Sequence, residues 1–214
     1  YYTEDMNQSA RQWMELKQQL HHALSAGQLE LYYQPQFNLQ SGRMTGAEAL
    51  IRWNHPERGL LPPDLFIPIA EETGLIVPIG SWVVRTAVAE AREWRERTGL
   101  ELRLAVNISS RQFRYRELLE LLERVVDDSG ALPLALELEI TESSLIDNPE
   151  QAQATLKRLK AMGVKLSIDD FGTGYSSLAY LRNLAVDKLK IDQSFVRDLT
   201  SSTDSRAIVT AIVQ

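Results

Sequence analysis

Cysteine is absent from the 214 residues. That excludes disulfides, zinc–thiolate centres and a cysteine nucleophile, and it fits a reducing compartment. Histidine is scarce: His21, His22 and His55 are the only three. They are too few and too scattered to build a metal centre, so any metal here would be held by oxygen. Oxygen ligands favour magnesium, manganese or calcium. No apolar run approaches the ~20 residues a membrane helix needs, and the N-terminus has no signal-peptide layout. A cytoplasmic domain is expected, free or as the cytoplasmic part of a membrane-anchored parent. Positive charge is also short, with 23 Lys and Arg against 29 Asp and Glu and a net charge of −6. That argues against a broad surface for polymeric nucleic acid. A small phosphate ligand remains open if metals or a few basic side chains neutralise it locally.

What is present is ordinary globular composition, 44% hydrophobic and 24% charged. The length suits one large domain with its own core. Strand and helix patterns alternate. Residues 1–26 read as a helix, with Met14, Leu16, Leu20, Ala23 and Leu24 near helical spacing and Gly27 as its stop. It serves either as a connector from an upstream domain or as a lid on the core. Strands are expected over 29–35 (ended by Pro35), 44–53, 102–109, 134–141, 164–170 and 186–192. Helices are expected over 62–72, from Ser81 to 97, from Ser110 to 128, over 149–162, over 175–182, and from Asp204 onward. Such alternation with short connections signals parallel strands and crossover helices.

The chain is organised around the run from Val164 to Tyr175, where a β-rich stretch ends in Asp169 and Asp170 and a loop with Gly172 and Gly174 follows. Neighbours on a strand face opposite ways, so the two acids can share a site only where the strand ends. Close carboxylates repel and raise each other's pKa, a conflict that a cation would remove. Alone, the stretch reads equally as an Asp-Gly-type turn with an extra acid. Glu48 lies inside an apolar strand, where a carboxylate is costly unless it is paired or ligates a cation. A plain ion pair with Arg52 is one solution. Glu137 and Glu139 share a face of their strand, and Lys188 and Lys190 alternate with apolar neighbours on another. Glu48, Asn107, Glu139, Asp169, Asp170, Lys190 and Asp192 all fall late in a strand or just after it. In a β/α barrel those positions converge at one mouth, where chemistry sits. Oxygen ligands in that number, with a lysine nearby, suggest metal-assisted hydrolysis of a phosphate ester.

Six segments in this order carry a resemblance: Tyr33-Gln34-Pro35, Glu48-Ala49-Leu50-Ile51-Arg52-Trp53, Val106-Asn107-Ile108-Ser109, Glu139-Ile140-Thr141-Glu142, Asp169-Asp170-Phe171-Gly172-Thr173-Gly174-Tyr175-Ser176-Ser177 and Lys190-Ile191-Asp192. From about Leu16 onward the chain resembles the EAL domains, the cyclic di-GMP phosphodiesterases. The resemblance implies an α/β fold, a modified TIM (β/α) barrel whose first strand is antiparallel. It implies magnesium or manganese, two ions, held by Glu48, Asn107, Glu139 and Asp169, with Asp170 completing the second position. Lys190 would orient the attacking water or stabilise phosphoryl charge. Gln34, Arg52 and Asp192 would contact the dinucleotide. Glu142 would hold the loop from Asp170 to Ser177, which is linked in the family to homodimer contacts. The implied reaction is in-line attack of activated water on one phosphorus of cyclic di-GMP, releasing linear pGpG.

Residues 1–26 resemble the linker that follows a GGDEF domain in tandem proteins. The expected organisation is a linker or lid helix over 1–26 and an EAL barrel over 27–214, with a GGDEF or sensor domain upstream in the parent chain. The family pattern continues with a glutamate on a seventh strand and a glutamine near the eighth, neither of which lies within these residues. Residues 1–214 alone are therefore expected to form an open barrel with weak or no turnover. Two other functions fit the residues. One is a silent receptor that binds cyclic di-GMP as a signal. The other, setting the resemblance aside, is a magnesium-dependent barrel acting on a carboxylate with Lys190 as base.

Overall fold

A computed structural model describes residues 4–114, 116–129, 135–146, 148–172 and 184–213. The chain packs as two units, Tyr1–Val106 and Asn107–Gln214. The loop residues Thr173 to Ser177 and the helix expected over 175–182 lie outside the described residues, as does the expected first residue of the fourth strand, Leu134.

In the first unit, helix α1 (Glu4–Ala23) is followed by β1 (Leu29–Phe37), β2 (Met44–His55) and the short β3 (Gly59–Leu61). Leu16, Leu20 and Ala23 are buried at helical spacing, whereas Met14 points outward at 67% exposure. The inner face of α1 thus belongs to the core of this unit. Gly27 takes φ +65° just beyond the helix, where a left-handed residue turns the chain into β1.

β1 pairs antiparallel with β2, with Gln34 opposite Glu48 and Leu29 opposite Trp53. The alternation of elements pointed to parallel pairing throughout. The short turn between β1 and β2 dictates otherwise, because so brief a connection can join only antiparallel neighbours. β1 also continues through Pro35 instead of ending there. Among the described residues it pairs only with β2, and an edge strand tolerates a residue without an N–H. β3, absent from the sequence reading, folds back antiparallel on the end of β2. β4 (Arg103–Ile108) then joins β2 in parallel, with Glu48 beside Ala105 and Ala49 beside Val106. Gly46 permits that approach. A Cβ there would sit 2.4 Å from the Arg103 carbonyl oxygen.

A 3₁₀ turn (Pro63–Leu65) leads to α2 (Ile67–Thr73) and α3 (Ile76–Thr98). α3 begins five residues before Ser81, which lies inside it rather than capping it. Pro78 does not delay the start, because first-turn N–H groups have no partner within the helix. Ile76, Ile79, Val83, Val84, Ala87 and Ala91 form its buried face.

In the second unit, α4 (Ser110–Arg114) and α5 (Arg116–Ser129) precede β5 (Leu136–Thr141), α6 (Glu142–Ile146), α7 (Pro149–Ala161), β6 (Lys165–Phe171), β7 (Lys188–Ile191), α8 (Gln193–Arg197) and α9 (Thr203–Val213). β5, β6 and β7 are parallel neighbours in that order. Asn148 caps α7 by accepting the Gln151 N–H, so the chain re-enters a helix within a few residues of β5. Glu142 opens the short helix α6 instead of sitting in a loop. β7 stops before Asp192, which caps α8 by accepting the Ser194 N–H at 2.9 Å. Aspartate at a strand end competes for the next helix start, and there the N-cap wins.

Candidate active site

In the second unit the polar residues of three strands face one another. Glu139 on β5, Ser167 on β6 and Lys188 on β7 stand in register, and parallel neighbours in register present their side chains to one face. Lys190, two residues above Lys188, donates to both the Glu139 and the Asp169 carboxylates, the latter at 2.9 Å. Glu139 is 1% exposed. A carboxylate so buried needs a cationic partner, and Lys190 is one. Oxygens of Glu139 and Asp169 lie within 4.8 Å of one another.

One rung deeper, Lys188 donates to Glu137 at 2.8 Å, and Glu137 is 4% exposed. The alternating acids of β5 are therefore answered by the alternating lysines of β7 across β6. The Ser167 hydroxyl, buried between them, has no hydrogen-bond partner among the described residues.

Asp169 and Asp170 behave differently from the expectation that the strand ends at them. β6 runs on to Phe171. The pairing of β6 with β7 shifts between Ile168 and Phe171, and Asp170 adopts φ +55°, the one positive value among the described non-glycine residues. A bulge of this kind inserts an extra residue and re-aims a side chain. It brings the Asp170 carboxyl against Asp192, and the Asp170 N–H donates to Asp169 Oδ1 at 2.9 Å. Partial burial raises the Asp170 pKa, and the Asp169 and Asp192 carboxylates add to the rise while Lys190 opposes it. The hydrogen bonds from Ser194 hold Asp192 below the usual range.

Glu142, 3% exposed, accepts the Gly172 N–H at 3.0 Å. Gly172 has φ +101°, and a Cβ on it would lie 2.9 Å from the Phe195 ring. The chain leaving β6 is thus gripped by a carboxylate from α6 and an aromatic ring from α8. Nothing in the sequence pattern marks Phe195. Its role follows from the missing glycine side chain.

In the first unit Glu48 is half-buried on β2, opposite Gln34 and beside Ala105. Asn107, the first residue of the second unit, is exposed near the end of β4. Arg52 donates to the Ile51 carbonyl at 2.8 Å, and its guanidinium lies over the Tyr32 ring. His55 is a structural residue. Its Nδ1 accepts the N–H groups of Glu57 and Arg58, which leaves Nε2–H to donate to Gln19 at 2.8 Å. Burial pushes the Tyr33 hydroxyl well up from its ordinary pKa, with Glu90 adding to the shift.

Acids and a lysine late in parallel strands define an α/β protein with its chemistry at the strand ends. The EAL domain model matches residues 17–214, and the chain belongs to the EAL domain family. It is 42% identical over 213 residues to the bifunctional diguanylate cyclase/cyclic di-GMP phosphodiesterase MucR of Pseudomonas aeruginosa, covering 100% of this chain and 31% of that one. It is 42% identical over 212 residues to the cyclic di-GMP phosphodiesterase PdeR of Escherichia coli, covering 99% and 32%. The chain thus spans about a third of the length of these relatives. Among solved structures, the PaMucR phosphodiesterase in its c-di-GMP complex matches with TM-score 0.89 and 44% identity, over 93% of this chain and 81% of that one. The FimX EAL domain from Pseudomonas aeruginosa bound to c-di-GMP matches with TM-score 0.81 and 25% identity, over 94% and 79%. The fold class is that of EAL domains, α/β with an antiparallel first strand. Among the described residues no helix is long and apolar enough to cross a membrane.

Proposed function

We propose that this protein is a metal-dependent phosphodiesterase that hydrolyses cyclic di-GMP to linear pGpG. The observation that carries the reading is the Glu139–Asp169 pair gathered by Lys190 in a chain of the EAL family. The donors fit a hard divalent cation, being carboxylates with no thiolate or imidazole among the residues of this pair. Glu48, Asn107, Glu139 and Asp169 would hold magnesium or manganese, and Asp170 would complete a second position. Bound there, divalent cations would acidify water and neutralise phosphoryl charge.

The chain's own groups do the rest. Lys190, which donates to Glu139 and Asp169, would orient the attacking water or stabilise charge on the phosphoryl oxygens. Arg52, held by Tyr32 and the Ile51 carbonyl, supplies positive charge to a ligand that a −6 protein would otherwise repel. Gln34 and Asp192 would contact the dinucleotide. Glu142 keeps the start of the loop after β6 in its working position.

A homodimer, a cytoplasmic location and an upstream GGDEF or sensor domain joined through residues 1–26 belong to the same proposal. The greater length of the relatives, and the bifunctional name of MucR, support the upstream domain. The test is incubation of the full domain, including the residues that follow 214 in the parent chain, with cyclic di-GMP and magnesium or manganese, followed by chromatography for pGpG. Product is expected, and Glu48→Ala should abolish it. Binding without product would make the protein a receptor instead, and no binding at all would overturn both.

A further inference from the structure

Ser167 is wholly buried, and its hydroxyl has no hydrogen-bond partner among the described residues. An unsatisfied hydroxyl at that depth is destabilising, and an alanine of nearly the same shape would avoid the penalty. Its position in the sheet gives it a use. The ladder partner of Ser167 is Glu139 on β5 and Lys188 on β7. Neighbouring strands lie about 4.8 Å apart, and residues in register share a face, so Ser167 is the immediate neighbour of Glu139 on β6. Asp169, two residues further along β6, faces the same way.

Lys190 reaches from β7 to Glu139 on β5 and to Asp169 on β6, so it crosses β6 on the side toward Asp169, next to Ser167. A divalent cation on the same two carboxylates and the Lys190 ammonium repel each other, which weakens the hydrogen bond from Lys190 to Glu139. Bulk water does not replace it, because Glu139 is 1% exposed. We infer that Ser167 is a positioning residue for the cation: once Glu139 and Asp169 hold one, the Ser167 hydroxyl donates to the Glu139 carboxylate and fixes the direction of that ligand. Ligating carboxylates are themselves hydrogen-bonded from behind. In the metal-free protein Lys190 serves Glu139 and the hydroxyl is idle. The inference rests on the metal-dependent reading above and names a residue that supports one of its ligands.

The experiment compares the full domain with its Ser167→Ala variant, using manganese alone as the probe. Calorimetric titration should show manganese bound roughly 10- to 100-fold more weakly by the variant, the range for groups that support a metal ligand. Urea denaturation in chelator should show the metal-free variant at least as stable as the wild type, because the hydroxyl it lacks was unpaired. A purely structural role predicts a less stable metal-free variant, and no role at all predicts unchanged manganese affinity. Either result overturns the inference.

A crystal structure of the wild-type domain with manganese depends on no variant. It should place Ser167 Oγ within hydrogen-bond distance of a Glu139 carboxylate oxygen. Finding the hydroxyl bonded elsewhere, or to nothing, overturns the inference even where the affinities differ. A wild-type domain that binds no manganese overturns the metal-dependent reading and this inference with it. Manganese binding without turnover of cyclic di-GMP counts against hydrolysis alone.

Discussion

The Glu142 carboxylate reaches from the first residue of α6 to the backbone N–H of Gly172, 3.0 Å away and 30 residues further on. A side chain at the end of one strand thereby fixes the exit of the next. Glu142→Ala leaves that N–H without its acceptor, which costs about 1–3 kcal/mol in a part-buried setting. Turnover of cyclic di-GMP is expected to fall by roughly 10- to 100-fold, while Glu142→Gln, which keeps an acceptor oxygen, should lose much less. Steady-state kinetics beside urea denaturation separates the two effects.

Gly172 is constrained from two directions. Its φ of +101° disfavours any side chain, and an added Cβ would meet the Phe195 ring at 2.9 Å. Gly172→Ala should destabilise the protein by about 1–3 kcal/mol. Trimming the ring in Gly172→Ala/Phe195→Leu removes the clash but not the backbone strain. The double variant should therefore recover part of the loss and not all of it. Denaturant midpoints of the four proteins in the cycle check this.

Lys190 neutralises a carboxylate that is almost wholly buried. With Lys190→Met in metal-free buffer, Glu139 loses that partner, and stability should drop by about 3–5 kcal/mol. Manganese binding to the folded state should restore much of it, and should stabilise this variant more than it does the wild type. Thermal melts with chelator and then with excess manganese give the comparison. Turnover should be lost in both conditions. An equal manganese effect on the two proteins would count against a cation seated at Glu139 and Asp169.

Asp187 links the turn before β7 to β6. Burial works against its charge, but Lys160 at 2.6 Å, the Leu166 N–H at 3.0 Å and Lys165 at 2.9 Å hold its pKa down to about 2. The folded value lies below the ordinary carboxylate value of ~3.9. Its contribution to stability is thus fully present above about pH 4 and is lost as pH falls through about 2. The difference in unfolding free energy between wild type and Asp187→Asn should be largest near neutrality and should shrink over that acid window. A difference independent of pH would rule out this linkage.

Much of the architecture was legible in local pattern. The strand that carries Asp169 and Asp170 and the helix that begins at Pro149 follow from periodicity and turn residues, which are properties of neighbouring residues. Element ends were less legible where two local preferences compete. Pro35 can end a strand or lie on an edge, and Asp192 can finish a strand or cap a helix. The choice belongs to what packs alongside. The Asp169–Asp170 bulge is the sharpest case. Two adjacent acids say nothing of the left-handed Asp170 and the slip against β7 that turn its carboxyl toward Asp192, because these involve another strand.

By itself the sequence determined the family, the alternation of strands and helices, and the residue types available for chemistry: carboxylates, an amide and lysines, with no thiol. These are encoded in order and spacing along one chain. Only the tertiary structure decided the partners. Lys190 lies 51 residues from Glu139 and 21 from Asp169, and it meets both because parallel pairing sets β5, β6 and β7 side by side. It likewise decided that Lys188 answers Glu137, and that Phe195 closes on Gly172. Burial is what makes those pairings obligatory, since a charge removed from water must find its counterion wherever the fold has placed one.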